Sequence, residues 1–184
     1  MNSEMEEEKK LYTLLVYSEN IAGILNQITA VFTRRQVNIE SLNVSASSIP
    51  GVHKYTITAW CYDDQVVKIV RQIEKKIDVV KATFFTDDQL FIRETGLYKL
   101  STEVVMQNPE VSRTIRRFDA KITEVNPTYI IVIKSGKTDD IISLYRELDE
   151  FGCVLQYTRS GRIAVTRGKQ EQVSEFLEQR EKER

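Results

Sequence analysis

From residue 10 onward, short apolar runs and stripes of helical spacing follow one another in an order that occurs twice. Leu11–Tyr17 (LYTLLVY) is short and apolar, as a central strand is. Over Ile21–Gln36 the residues Ile24, Ile28, Val31 and Phe32 fall at i, i+4, i+7 and i+8, one stripe of a helix. Asn20 stands where an N-cap belongs and Gly23 falls in the first turn. Ile39–Ser47 is a weaker strand, with Ile39, Ser41 and Asn43 alternating against Glu40, Leu42 and Val44. Pro50-Gly51 supplies turn chemistry: proline pre-sets φ at the first central position and glycine accepts positive φ at the second. Lys54–Tyr62 (KYTITAWCY) alternates strictly, Tyr55, Ile57, Ala59 and Cys61 on one face and Thr56, Thr58 and Trp60 on the other. Asp63-Asp64 open a second helix, its acidic start complementing the helix dipole, with Val66, Val70, Ile73 and Ile77 forming the inward stripe. Val79–Thr86 (VVKATFFT) closes the unit as a fourth strand. The order β-α-β-β-α-β predicts the ferredoxin-like arrangement, two helices on one face of an antiparallel sheet.

The second half repeats this order with weaker signals. A strand lies around Leu97–Leu100 within Leu90–Ser101, and Asn108–Phe118 has helical spacing with Val111, Ile115 and Phe118 inward. Lys121–Val125 and Tyr129–Lys134 (YIIVIK) pair across Asn126-Pro127. Thr138–Phe151 is a helix carrying Ile141, Leu144, Tyr145 and Leu148, and Gly152 ends it as a C′ glycine. Cys153–Tyr157 and Arg162–Val165 read as a hairpin around Ser160-Gly161, and Gln170–Leu177 as a closing helix. The polar stretch Thr86–Gln89 marks the boundary. The expected fold class is α+β, two ferredoxin-like βαββαβ domains over residues 10–87 and 90–184.

Composition narrows the function. A chain of 184 residues with 41% hydrophobic and 29% charged content is an ordinary globular protein. A formal net charge of −1 argues against nucleic-acid and anionic-membrane partners, both of which demand a basic patch. No apolar run reaches membrane-spanning length, and the acidic start MNSEMEEEKK is the opposite of a secretory signal, so a cytoplasmic location is expected. The two cysteines, Cys61 and Cys153, lie in apolar strand-like stretches and read as reduced core residues. Catalytic chemistry is scarce. His53 is the single histidine, no cysteine stands at ligand spacing to it, and no glycine-rich phosphate loop is present. The chain reads as a non-enzyme.

What remains is the helix start. Unpaired backbone N–H groups there attract an anion, and Gly23 has no side chain to hold a ligand away from the backbone. Asn20 and Asn38 bracket this helix at opposite ends, so a single small ligand within one protomer cannot touch both. A two-fold pair of such units, with helices antiparallel, brings Asn20 of one protomer near Asn38 of its partner.

The run Glu19-Asn20, Gly23, Leu25, Phe32, Arg35 and Asn38-Ile39-Glu40-Ser41-Leu42 resembles the regulatory (small) subunits of acetolactate synthase. The second half adds Ile122, Val125, Pro127 and the run Arg159-Ser160-Gly161-Arg162, so the resemblance spans about residues 10–168. EN-x-x-G by itself marks only an amino-acid-sensing ACT domain; followed by NIESL it is specific. The resemblance implies an N-terminal ACT domain, pairing through it into a homodimer, and a thiamine-diphosphate-dependent catalytic (large) subunit as partner. It implies that thiamine diphosphate, magnesium and FAD belong to that subunit, and no cofactor to this chain. It further implies activation of the partner, feedback by valine or another branched-chain amino acid, and an effector site drawn from Asn20, Ile21, Ala22, Gly23, Ile24, Asn38 and Ile39. Ile24 departs from the family's small residue and Ala22 from its serine. The alternatives are a free-standing ACT-type sensor of another enzyme or a transcription factor, and a ferredoxin-like RNA-binding protein. The last requires aromatic residues on an exposed sheet face amid basic charge.

Overall fold

In the computed structural model, residues 8–168 and Val173 are described; the expected helix Gln170–Leu177 otherwise lies outside them. Contacts divide the chain into two units. The first holds the described residues up to Phe91 and again those from Ala164 on; the second is Ile92–Ile163. The polar stretch Thr86–Gln89 folds as a turn over Asp87–Gln89. The units part just beyond it, and the chain from Ala164 returns to the first unit rather than staying with the domain assigned to 90–184.

The first unit is β1 (Lys10–Glu19), α1 (Ile24–Arg34), β2 (Ile39–Ala46), β3 (Val52–Cys61), α2 (Asp63–Glu74) and β4 (Val79–Phe85). Its sheet is antiparallel with order β2-β3-β1-β4, the ferredoxin-like topology. Both helical stripes turn onto one sheet face, burying Ile24, Ile28, Val31 and Phe32 of α1 and Val66, Ile69, Val70 and Ile73 of α2 against Leu14, Val16, Tyr55, Ile57 and Ala59. The Ile49–Val52 turn forms as its residues dictate: Val52 N–H donates to Ile49 O at 3.1 Å, and Gly51 sits at φ 78°. Two expectations fail. Asn20 does not cap α1, whose N-cap is Gly23 with no side-chain cap bond. Ile77 does not join the inward stripe, because α2 ends at Glu74 and Ile77 is 99% exposed.

The second unit repeats the plan with one added helix: β5 (Leu90–Ser101), α3 (Thr102–Gln107), α4 (Pro109–Arg117), β6 (Lys121–Val125), β7 (Tyr129–Gly136), α5 (Thr138–Glu150) and β8 (Val154–Arg159), after which β9 (Ile163–Thr166) leads the chain into the first unit again. The strand order is β6-β7-β5-β8, and β9 also pairs with β5. Its core joins Tyr98 and Leu100 of β5 to Val111 and Ile115 of α4 and to Ile141, Leu144 and Leu148 of α5. Gly152, at φ 63°, ends α5 as a C′ glycine does. Both cysteines are buried and free, and burial pushes both thiols up from the usual range.

The expected hairpin around Ser160-Gly161 is absent. Gly96 faces Arg159 in the β5–β8 ladder, Ser160 N–H donates to Thr95 O at 2.9 Å, and Arg167 N–H to Gln89 O at 3.1 Å. Pairing therefore continues along β5 in one antiparallel sense. β8 and β9 are successive stretches beside one long strand, interrupted by Arg159–Arg162, where Gly161 takes φ 76°. The twelve residues of β5 are long enough to hold both.

Candidate functional site

The α1 start is shaped from both sides by backbone bonds. Glu19 N–H donates to Asp78 O at 2.9 Å and Asn20 N–H to Gly51 O at 3.0 Å, holding Asn20 in line with β1 instead of at a cap. The chain then reverses through Gly23 at φ 88°, a left-handed conformation that only glycine adopts without strain. The first helical bond runs from Gln27 N–H to Gly23 O at 3.1 Å. The N–H groups of Ile24, Leu25 and Asn26 thus have no partner within the helix, and they carry the positive end of its dipole.

Among the described residues, nothing lies within 4 Å of where a Cβ on Gly23 would sit. No acidic residue stands in the first turn to occupy those N–H groups. Asn20, Ile21, Ala22 and Gly23 are all exposed. Ile24 is different: its side chain is 3% exposed and packed in the core, so only its backbone faces the opening. The bulk of this isoleucine therefore does not crowd the helix start.

Asn38 and Ile39 lie at the other end of α1. The helix closes through Gln36, a non-glycine residue at φ 54°, with Val37 N–H donating to Phe32 O at 3.1 Å. Asn38 then lines a cleft of about 370 Å³ with Thr29, Phe32, Thr33, Gln36, Val37 and Ile39. Its floor is apolar, since Phe32 and Val37 are buried. Thr29 and Thr33 spend their hydroxyls on Leu25 O and Thr29 O one turn back. The eleven residues of α1 span about 16 Å. The seven sequence-derived residues therefore fall into two groups at opposite ends of α1, one at an uncapped helix start and one along an apolar cleft edged by an amide.

Among the described residues, the sheet face away from the helices offers no second site. Thr13, Leu15, Tyr17, Thr56 and Thr58 on it are each under 5% exposed, and only Trp60, at 49%, reaches solvent as a large side chain. Sequence reading does not find the cleft's threonines, which have the same spacing as any solvated helix face.

Residues 14–81 match the ACT domain described as AHAS small subunit-like. Residues 93–168 match the small subunit of acetolactate synthase. The chain is 32% identical to the acetolactate synthase small subunit of Bacillus subtilis over 167 residues, 90% of this chain and 95% of that one. The chain belongs to the acetolactate synthase small-subunit family. It is also 31% identical to the Haemophilus influenzae small subunit, over 84% of this chain and 94% of that one. The crystal structure of the small subunit from Thermotoga maritima superposes with a TM-score of 0.79 at 23% identity, covering 88% of this chain and 99% of that one. The two-domain fold of the family is thus present throughout. The family-like run Arg159-Ser160-Gly161-Arg162 now has a structural reading. Arg159 Nη1 donates to the buried Glu94 carboxylate at 3.3 Å. Ser160 Oγ accepts from Thr95 N–H at 3.0 Å, and Arg162 Nε donates to Thr138 Oγ1 at 3.2 Å.

Proposed function

We propose that this small-subunit family member is a non-catalytic activator of a thiamine-diphosphate-dependent acetolactate synthase catalytic subunit, and that it confers feedback inhibition by valine on branched-chain amino acid biosynthesis. The chain acts as a homodimer through its ACT domains. The valine carboxylate sits on the N–H groups at the Gly23 helix start of one protomer, beside Asn20, Ile21 and Ala22. The apolar side chain and the amino group meet the Asn38–Ile39 cleft of its partner. Thiamine diphosphate, magnesium and FAD stay with the catalytic subunit.

The observation that carries this reading is the open, uncapped helix start at Gly23, with no side chain among the described residues filling the space in front of it. The need for a partner protomer follows from the length of α1, which separates the half-sites by more than a free amino acid can span. β2 supports the pairing, because it is an eight-residue edge strand whose only charge is Glu40. The burial of Tyr17 and its neighbours on the sheet's other face counts against an RNA-binding reading, which needs that face open to stack bases.

The test is direct. The chain is co-purified with the catalytic subunit and pyruvate condensation is measured with and without valine. Higher turnover on adding the chain, reversed by valine, supports the proposal. A catalytic subunit indifferent to the chain removes the activation, and an activated complex indifferent to valine removes the sensing.

A further inference from the structure

Ile77 is the most exposed large hydrophobic residue among the described ones, at 99%, where the next, Met106, is at 77%. The backbone on either side of it is hydrogen-bonded. Lys76 N–H donates to Ile73 O at 3.0 Å, Val79 N–H to Lys76 O at 3.1 Å, and Asp78 O accepts from Glu19 N–H at 2.9 Å. The turn therefore presents an isoleucine at its tip, between Lys75, Lys76 and Asp78, and is bonded directly to the residue that begins the effector loop.

We propose that this turn docks on the catalytic subunit, with Ile77 entering an apolar pocket rimmed by carboxylates that meet Lys75 and Lys76. This rests on the proposed function and names the surface through which the effector site is read. A second copy is the poorer occupant. The turn feeds β4, the edge of the sheet opposite to β2, so a dimer paired along β2 leaves it uncovered. The Glu19–Asp78 bond gives the route: a ligand that orders the Glu19–Gly23 loop acts on the turn through one hydrogen bond, without a change in the core.

The experiment compares the full-length parent, Ile77→Asp, Ile77→Leu and a control, Met106→Asp, in the second unit. Affinity for the catalytic subunit is measured by biolayer interferometry, valine binding to the chain alone by calorimetry, and the oligomer by sedimentation. Ile77→Asp is expected to weaken association by about tenfold or more, the worth of burying one isoleucine side chain. Ile77→Leu and Met106→Asp are expected to keep the parent's affinity, and all variants its valine binding and oligomeric state. Parental affinity in Ile77→Asp overturns the docking surface while leaving the proposed function intact. Loss of the dimer in Ile77→Asp assigns the turn to a second copy and also overturns it. A parent that binds no catalytic subunit overturns the proposed function and this surface together, whereas a parent that binds it but not valine removes the sensing alone.

Discussion

Single residues carry the sharpest consequences. In the proposed site, Asn38→Ala would remove one hydrogen bond to a charged group, worth about 1.5–3 kcal/mol, or about ten- to over a hundredfold in affinity. The valine concentration needed for inhibition is expected to rise by that factor in an otherwise activated complex, read from inhibition curves. Gly23→Asp is expected to abolish the response. It sets a carboxylate where the proposed ligand's own would sit and forces a Cβ onto a residue at φ 88°. Gln36 and Asp119, at φ 54° and 52°, are the reverse case, side chains held in the left-handed region. Gln36→Gly is expected to stabilise the first unit by about 0.5–1 kcal/mol in urea unfolding, as relief of backbone strain outweighs the extra chain entropy. Thr13 Oγ1 is buried without a hydrogen-bond partner among the described residues. Thr13→Val keeps the shape, removes that orphan, and is expected to raise stability by about 1 kcal/mol.

Elements show the duplication more clearly than residue identities do. α1 and α4 end alike: Val37 N–H reaches Phe32 O and Ala120 N–H reaches Ile115 O, each past a left-handed residue. The two edge strands differ. β6 is five residues long and carries Lys121 and Glu124, features that blunt an edge; β2 is longer and bears one charge, and each strand shifts register once against its neighbour. The proposed pairing between copies is therefore assigned to β2 of the first unit. The interruption between β8 and β9 is held by a partly exposed arginine, 35%, on a carboxylate that is 2% exposed. Arg159→Met leaves Glu94 buried and unpaired and is expected to cost about 1–3 kcal/mol, below the value for a wholly buried pair because Arg159 is itself wetted. Adding Glu94→Gln is expected to recover part of it in a double-mutant cycle.

For the whole molecule the assignment turns on assembly. The purified chain is expected to be at least dimeric at micromolar concentration by light scattering, and a monomer in the presence of valine would refute the shared site. Alone it is expected not to condense pyruvate, whichever cofactor is supplied, since the chemistry is assigned to the partner.

Periodicity by itself determined the strands and helices of the first unit, the inward face of β3, the Pro50-Gly51 turn and the glycine that ends α5. Each depends on neighbours a few residues apart, and such spacing is written in the chain. The separation of Asn20 from Asn38 by the length of α1 was legible on the same grounds, whereas the helix begins at Ile24 and not at Ile21 behind an Asn20 cap. Where elements stop was decided by bonds between distant residues. Asn20 is kept from capping by Gly51 O, and the turn after Glu74 that exposes Ile77 is tied to Glu19. Ser160-Gly161 has the composition of a hairpin turn, yet β5 offers partners to both flanking strands, and the chain runs on beside it. Local composition cannot report a partner that lies 65 residues away, as Ser160 does from Thr95.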